Sequence, residues 1–139
     1  WIKVKGTNKI QRANIKTLPY PGFPTDLHPP IAIPLCLAKG ISTITEGVWD
    51  SRFQYIEELK RMGANIKVEG RVAFIDGGKK LSGAPVKAND LRAGAALIIA
   101  GLIADGLTEV TNIQHIDRGY EHIENKFMNL GAKIKRVED

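Results

Sequence analysis

Four short strings set an aspartate at the start of a helical stretch, and three of them add an arginine: Asp26-Leu27-His28, Asp50-Ser51-Arg52, Asp90-Leu91-Arg92 and Asp117-Arg118. An Asp at an N-cap satisfies orphan amides of the first turn. An Arg there opposes the helix macrodipole and costs the helix some stability, so three of them suggest a purpose other than helix formation. Exposed N–H groups, the dipole and a guanidinium fork together suit a carboxylate or a phosphate. The structural alternative is that each Arg pairs with its own Asp on the surface.

The segment Pro19-Tyr20-Pro21-Gly22-Phe23-Pro24 reads as a rigid loop that places Asp26, either against a ligand or simply as a fold feature. Cys36 falls among Ile33, Pro34, Leu35 and Leu37, the setting of a buried, inert thiol. His28 and His115 each lie near a helix start, where either could act as a general base but a polar edge role is the plainer reading. His122 reads as solvent-facing. Ala93-Gly94-Ala95-Ala96, with Ala100 and Gly101, reads as a helix face small enough for close approach of a neighbour.

The elements that must position these groups come in two copies. Gly40-Ile41-Ser42-Thr43-Ile44-Thr45 recurs 66 residues later as Gly106-Leu107-Thr108-Glu109-Val110-Thr111, and Arg52 and Arg118 keep that offset. Leu59-x-x-Met62-Gly63-Ala64-x-Ile66-Lys67 recurs at an offset of 68 as Phe127-x-x-Leu130-Gly131-Ala132-x-Ile134-Lys135. Two repeat units follow, about 14–70 and 71–139, with no low-complexity linker between them. Each reads as strand, Asp-started helix, Gly stop, Thr-rich strand, second helix, Gly-Ala turn and strand, an α/β (α+β) fold with helices packed against mixed sheets. In the second unit this predicts helix 91–104, strand 108–111, helix 120–130 and strand 133–137. Gly63 and Gly131 sit where a helix C-cap wants a left-handed residue. Residues 65–69 and 71–76, either side of Gly70, read as a hairpin. Pro34 should kink the first helix unless its first turn begins later than Asp26 implies.

The 139 residues are 43% hydrophobic and 25% charged, the composition of a compact domain. Area scaling predicts about 7,000 Å² exposed against roughly 22,000 Å² unfolded. The apolar run 91–104 contains Arg92 and falls short of the ~18 residues that cross a bilayer, so no membrane partner is expected. A single cysteine makes no internal disulfide, and no Cys/His cluster has metal-site spacing; a reducing, cytoplasmic setting is the default. The sequence opens at Trp1 on an alternating apolar segment and reads as a piece of something longer. Twenty Lys+Arg against 15 Asp+Glu give a net charge of +5, which favours an anionic partner. With no block of five like charges and 6% aromatics, a small anionic ligand is preferred to nucleic acid.

Phe23-Pro24-Thr25-Asp26, Asp50-Ser51-Arg52-Phe53, Asp90-Leu91-Arg92-Ala93 and His115-Ile116-Asp117-Arg118-Gly119-Tyr120-Glu121 together resemble the UDP-N-acetylglucosamine 1-carboxyvinyltransferase family of enolpyruvyl transferases. The resemblance covers nearly the whole chain. It implies a two-domain protein about three times this length, each domain built from three repeats; this chain resembles its C-terminal third, with the second domain and the family's loop cysteine lying elsewhere. Cys36 is not that cysteine. By the same resemblance Asp26 contacts the sugar 3-hydroxyl as general base, and Val48 touches the nucleotide sugar through its backbone. Arg52, Arg92 and Arg118 gather around phosphoenolpyruvate, with Asp90 beside them for proton transfer or ion pairing. The implied partners are phosphoenolpyruvate, UDP-N-acetylglucosamine and the N-terminal portion of the same protein, with no metal or organic cofactor. His28-Pro29-Pro30 departs from the polar, glutamine-like residues usual in the family.

The related enolpyruvylshikimate phosphate synthases share that architecture and stay open as an alternative. So do two other classes. An RNA-binding α/β module would set basic residues on one sheet face, and a structural interaction domain would leave Arg52, Arg92 and Arg118 scattered. A shared anionic ligand requires instead that the three guanidinium groups and Asp26 converge on one solvent-open face.

Overall fold

The computed structural model describes residues 1–137. Strand β1 (Asn14–Lys16) leads through the Pro-rich loop and a 3₁₀ turn (Thr25–Leu27) into helix α1 (His28–Leu37), and β2 (Gly40–Thr45) returns parallel to β1 with Ile15 opposite Ile44. A loop then leads to α2 (Tyr55–Arg61) and the hairpin β3 (Asn65–Glu69) and β4 (Val72–Gly77). β4 also pairs antiparallel with β2, giving a mixed sheet in the order β1-β2-β4-β3. Next, β5 (Pro85–Lys87), α3 (Leu91–Ile103) and β6 (Glu109–Thr111) repeat the order strand, helix, parallel strand. Two short helices follow, α4 (Gln114–Asp117) and α5 (Ile123–Asn129).

The β-branched residues of β2 and β4 alternate as a one-sided sheet demands. Ser42 and Ile44 face inward opposite Ile75 and Ala73, and Ile66 joins them from β3. Against that face lies α1, which in turn packs on α3. The core holds Ile33, Leu35, Ile44, Tyr55, Leu59, Met62, Ile75 and Leu97, all but inaccessible to water. Cys36 is buried there, and burial pushes its thiol up to about 11, as an inert side chain requires.

The small-residue face of α3 works as expected. A Cβ on Gly94 would run into the side chain of Ile116 and lie 3.1 Å from Ala88. Gly94→Ala therefore sets two effects against each other: about 1 kcal/mol gained in helix propensity and about 1–3 kcal/mol lost to overpacking. Because Ile116 is itself 1% exposed and has nowhere to move, the expected result is a lower thermal midpoint. A raised midpoint would show that the α3–α4 contact can yield.

Gly63 and Gly131 have φ of +87° and +91°, the left-handed C-caps anticipated for both units. Three expectations need correction. Only Asp90 caps a helix; Asp26 lies within the 3₁₀ turn, Asp50 precedes α2 by several residues, and Asp117 ends α4 rather than starting a helix. The helix expected over 120–130 begins only at Ile123, because His122 takes a left-handed conformation (φ +44°) that no helix continues through. Among the described residues, 133–137 pair with no strand, whereas their counterpart β3 pairs with the following strand β4. Helix α1 begins at His28, later than Asp26 implies, and includes Pro34; the bond Pro34 cannot donate is lost inside a helix held by the sheet and by α3.

The chain exposes 9290 Å², well above the ~7,000 Å² expected of a free-standing globule of this mass. Trp1, Ile2, Val4, Leu107 and Leu130 contribute, each more than four-fifths exposed. Among the described residues no helix is long and apolar enough to cross a membrane.

Candidate active site

All the candidate residues lie just beyond the C-terminal ends of the two parallel strand pairs: Asp26 after β1, Val48 and Arg52 after β2, Asp90 and Arg92 after β5, Arg118 after β6. Loops and helix N-termini gather at this edge in α/β units, so groups distant in sequence meet there.

Asp90 accepts hydrogen bonds from the backbone N–H of Arg92 (2.8 Å) and of Ala93 (2.9 Å), a complete N-cap that sets Arg92 in the first turn of α3. Packing of α1 on α3 brings that turn beside the 3₁₀ turn, and the Arg92 Nε–H donates to Asp26 Oδ1. Arg52 Nη1 approaches the same oxygen at 3.4 Å. Two cations thus flank one carboxylate, and the hydrogen bond from Arg92 is the main reason its carboxyl is held below the usual range, against the opposing effect of burial. Arg52 lies in the turn before α2, with its guanidinium 5.6 Å from the centre of the Trp49 ring, a cation–π arrangement. Trp49, Ser51, Arg52, Gln54, Asp90 and Arg92 line an open hollow of about 280 Å³.

Arg118 stands differently. It follows α4 at its C-terminal end, and the adjacent Gly119 comes so close to Leu91 that a Cβ there would lie 2.7 Å from that side chain. Its backbone is therefore beside the α3 start, although its side chain is not among those lining the hollow and, among the described residues, takes part in no ion pair. The structure brings together Asp26, Arg52, Asp90 and Arg92, and sets Arg118 one element away. The arginines do not pair with their own aspartates: Asp50 is held by Arg71 and Asp117 by Arg136. A larger hollow, about 460 Å³, is lined by Asp117, Tyr120, Glu121, His122, Glu124 and Arg136. Arg136 is tied there to Asp117 and Glu124, so it offers an anionic substrate little.

Val48 is partly exposed, but its N–H donates to Glu46 Oε1 at 2.9 Å, so its carbonyl is the backbone group left for a ligand. Glu46 is the residue that sequence reasoning missed. Wholly buried at the end of β2, it accepts from Thr17 Oγ1 (2.7 Å), Thr25 Oγ1 (3.0 Å) and the N–H groups of Val48 and Trp49 (2.9 and 3.1 Å). Burial alone would raise its carboxyl; the bonds from Thr17, Val48, Trp49 and His28 outweigh it and hold it down to about 2. His28 proves fully buried, not an edge residue. Its Nδ1 lies 2.7 Å from Glu46 Oε2, its ring meets Phe53 and Tyr55 edge-on, and its Nε2 has no partner among the described residues. Burial pushes the imidazole below its ordinary value although Glu46 opposes this, which fits a neutral ring donating from Nδ1. The one local signal for Glu46 is its place straight after a Thr-rich strand and before a glycine.

Comparison with known proteins identifies the family. The chain is 60% identical over 136 residues to a UDP-N-acetylglucosamine 1-carboxyvinyltransferase of Clostridium botulinum, covering 98% of this chain and 33% of that protein. It is 57% identical over 138 residues to UDP-N-acetylglucosamine 1-carboxyvinyltransferase 3 of Caldanaerobacter subterraneus, covering 99% and 33%. The chain thus spans about a third of the length of these curated relatives. Among solved structures, the enolpyruvyl transferase NikO of Streptomyces tendae superposes with a TM-score of 0.85 at 30% identity, covering 94% of this chain and 30% of that one. The sequence profile described as EPSP synthase (3-phosphoshikimate 1-carboxyvinyltransferase) matches residues 1–127, and the chain belongs to that family of enolpyruvyl transferases.

Proposed function

We propose that this chain forms part of an enzyme that transfers the enolpyruvyl group of phosphoenolpyruvate to the 3-hydroxyl of UDP-N-acetylglucosamine with release of phosphate, the first committed step of peptidoglycan synthesis, in the cytoplasm. The observation that carries the reading is the pairing of two guanidinium groups, Arg52 and Arg92, over one carboxylate, Asp26, beside an open hollow. The names of relatives with up to 60% identity support the sugar nucleotide as acceptor. A non-catalytic RNA-binding module fits less well, because these arginines sit at loops and a helix start instead of on a sheet face. The two units, about 14–70 and 71–139, are read as parts of one domain of that enzyme, with the second domain and the N-terminal portion supplied by the rest of the longer protein.

The chemistry asks for these groups. The sugar hydroxyl adds to C2 of phosphoenolpyruvate as its proton leaves to Asp26, while C3 is protonated from outside this chain; loss of that added proton and of phosphate from the tetrahedral adduct then forms the enol ether. A substrate with separate carboxylate and phosphate groups needs several fixed cations. Arg52 and Arg92 are pre-set for this, and Arg118, from the neighbouring element, is the third. Asp90 fixes Arg92 through its backbone, and the Val48 carbonyl is directed to the nucleotide sugar.

The test is phosphate release by the full-length protein given both substrates. Release with UDP-N-acetylglucosamine as acceptor is expected; release only with shikimate 3-phosphate would reassign the acceptor, and release with neither would sink the reading. Arg92→Met should lower kcat/KM for phosphoenolpyruvate about 10²-fold, the usual cost of one preorganised charge-stabilising donor. Arg92→Lys should recover only part, because an ammonium lacks the fork. A normal kcat/KM in folded Arg92→Met would remove this residue from the substrate site.

A further inference from the structure

We infer that Glu46 is a positioning residue for this reaction, acting as the post that holds the Asp26 turn and the Val48–Arg52 loop in one fixed relation. The inference rests on the enolpyruvyl transfer reading and deepens it. One carboxylate collects donors from three separate segments: Thr17 at the end of β1, Thr25 and His28 on either side of Asp26, and Val48 and Trp49 on the loop that carries Arg52. Other contacts join these segments two at a time, Gly47 N–H to Thr17 Oγ1 at 2.9 Å and Arg52 to Asp26, whereas Glu46 holds all three through one side chain. The Asp26 turn has no side-chain cap of its own, and its Pro-rich approach provides few backbone donors. Glu46 is anchored in its turn, because its backbone N–H donates to the Arg71 carbonyl at 2.8 Å and Arg71 Nη1 donates to the Glu46 carbonyl at 3.3 Å. With no solvent access, Glu46 cannot touch substrate, so any effect on turnover must pass through the residues it holds.

A carboxylate is well suited to this post because it is an acceptor only, with two oxygens able to take several donors at once. Glutamine is the informative replacement. Its carbonyl oxygen at the Oε1 position keeps the bonds from Thr17, Val48 and Trp49. Its amide group then faces Thr25 and His28, where a rotated hydroxyl or the other imidazole tautomer can accept. Leucine keeps the volume and loses every bond.

The experiment uses the full-length enzyme with Glu46→Leu, Glu46→Gln and Thr25→Val, measured by steady-state kinetics and by amide hydrogen exchange over residues 46–53. Glu46→Leu should lower kcat/KM for UDP-N-acetylglucosamine about 10²-fold, in line with the cost of a misplacement near 1 Å. Gln should recover at least about tenfold of that loss, as shared acceptor geometry requires. Thr25→Val, which removes a single bond beside Asp26, should lower kcat about fivefold with loop protection intact, because only the Asp26 turn is released. In the double variant with Asp26→Asn, Glu46→Leu should add less than about threefold, since coupled sites are not additive.

Should Glu46→Leu destroy the fold, the Gln and Thr25→Val variants and the double variant of Gln with Asp26→Asn still decide the matter. Folded Glu46→Leu with normal kcat and KM would overturn the inference, as would fully multiplicative effects with Asp26→Asn. Exchange judges the post without reference to chemistry: the Val48 and Trp49 amides should exchange at least about tenfold faster in the Leu variant, because their acceptor is gone. Unchanged exchange would overturn it even if the wild-type enzyme used a different acceptor.

Discussion

Asp26→Asn in the complete enzyme is expected to fold normally and to lose about 10²–10⁴-fold in kcat, the range for removing a general base. The structure changes what this variant tests. Asp26 caps nothing, so its structural role is the pairing with Arg92 and Arg52. Its side chain is 60% exposed, and an ion pair of that kind contributes about 0–1 kcal/mol. Stability should therefore move little with either Asn or Ala. Removing the carboxylate also frees two guanidinium groups that it otherwise engages, so KM for phosphoenolpyruvate should stay level or fall while kcat collapses. That split separates a lost base from a disordered site, which would raise KM as well. A folded Asp26→Asn enzyme with near-normal kcat at saturation of both substrates would take Asp26 off the catalytic list and leave it as a partner for the arginines.

The 139-residue chain by itself should show no transferase turnover. It spans a third of the length of its curated relatives, and the hollow beside Asp26 is open, with one wall formed by Trp49, Arg52 and Arg92. Transfer through a tetrahedral adduct needs water excluded and both substrates held in register, and closure over the substrate commonly supplies both. Well-oriented groups are worth effective molarities of about 10⁵–10⁸ M, so a half-built site loses most of its rate enhancement. The measurement is phosphate release by purified chain with both substrates, against an Arg118→Ala version of the same chain. Release well above that control would place the essential groups in the wrong part of the enzyme.

What could be read from the residues alone was much of what depends on neighbours in sequence. The left-handed Gly63 and Gly131, the hairpin around Gly70, the Asp90 cap and the small-residue face of α3 all follow from local backbone chemistry and periodicity, which is why they reappear in the fold. The motif strings also marked Asp26, Arg52 and Arg92 as groups without a local purpose. Their meeting depends on something local chemistry does not encode. Asp26 and Arg92 are 66 residues apart and touch because α1 packs on α3 with both starts at the same edge. Arg118 stands at the end of α4, and Asp50 and Asp117 are held by Arg71 and Arg136, pairings no spacing rule foresees. Glu46 is the clearest case. A glutamate after a strand reads as a solvated end, since a lone buried carboxylate costs more than a fold can bear. Only when Thr17, Thr25, His28, Val48 and Trp49 arrive together does burial become affordable, and their arrival is a property of the tertiary structure.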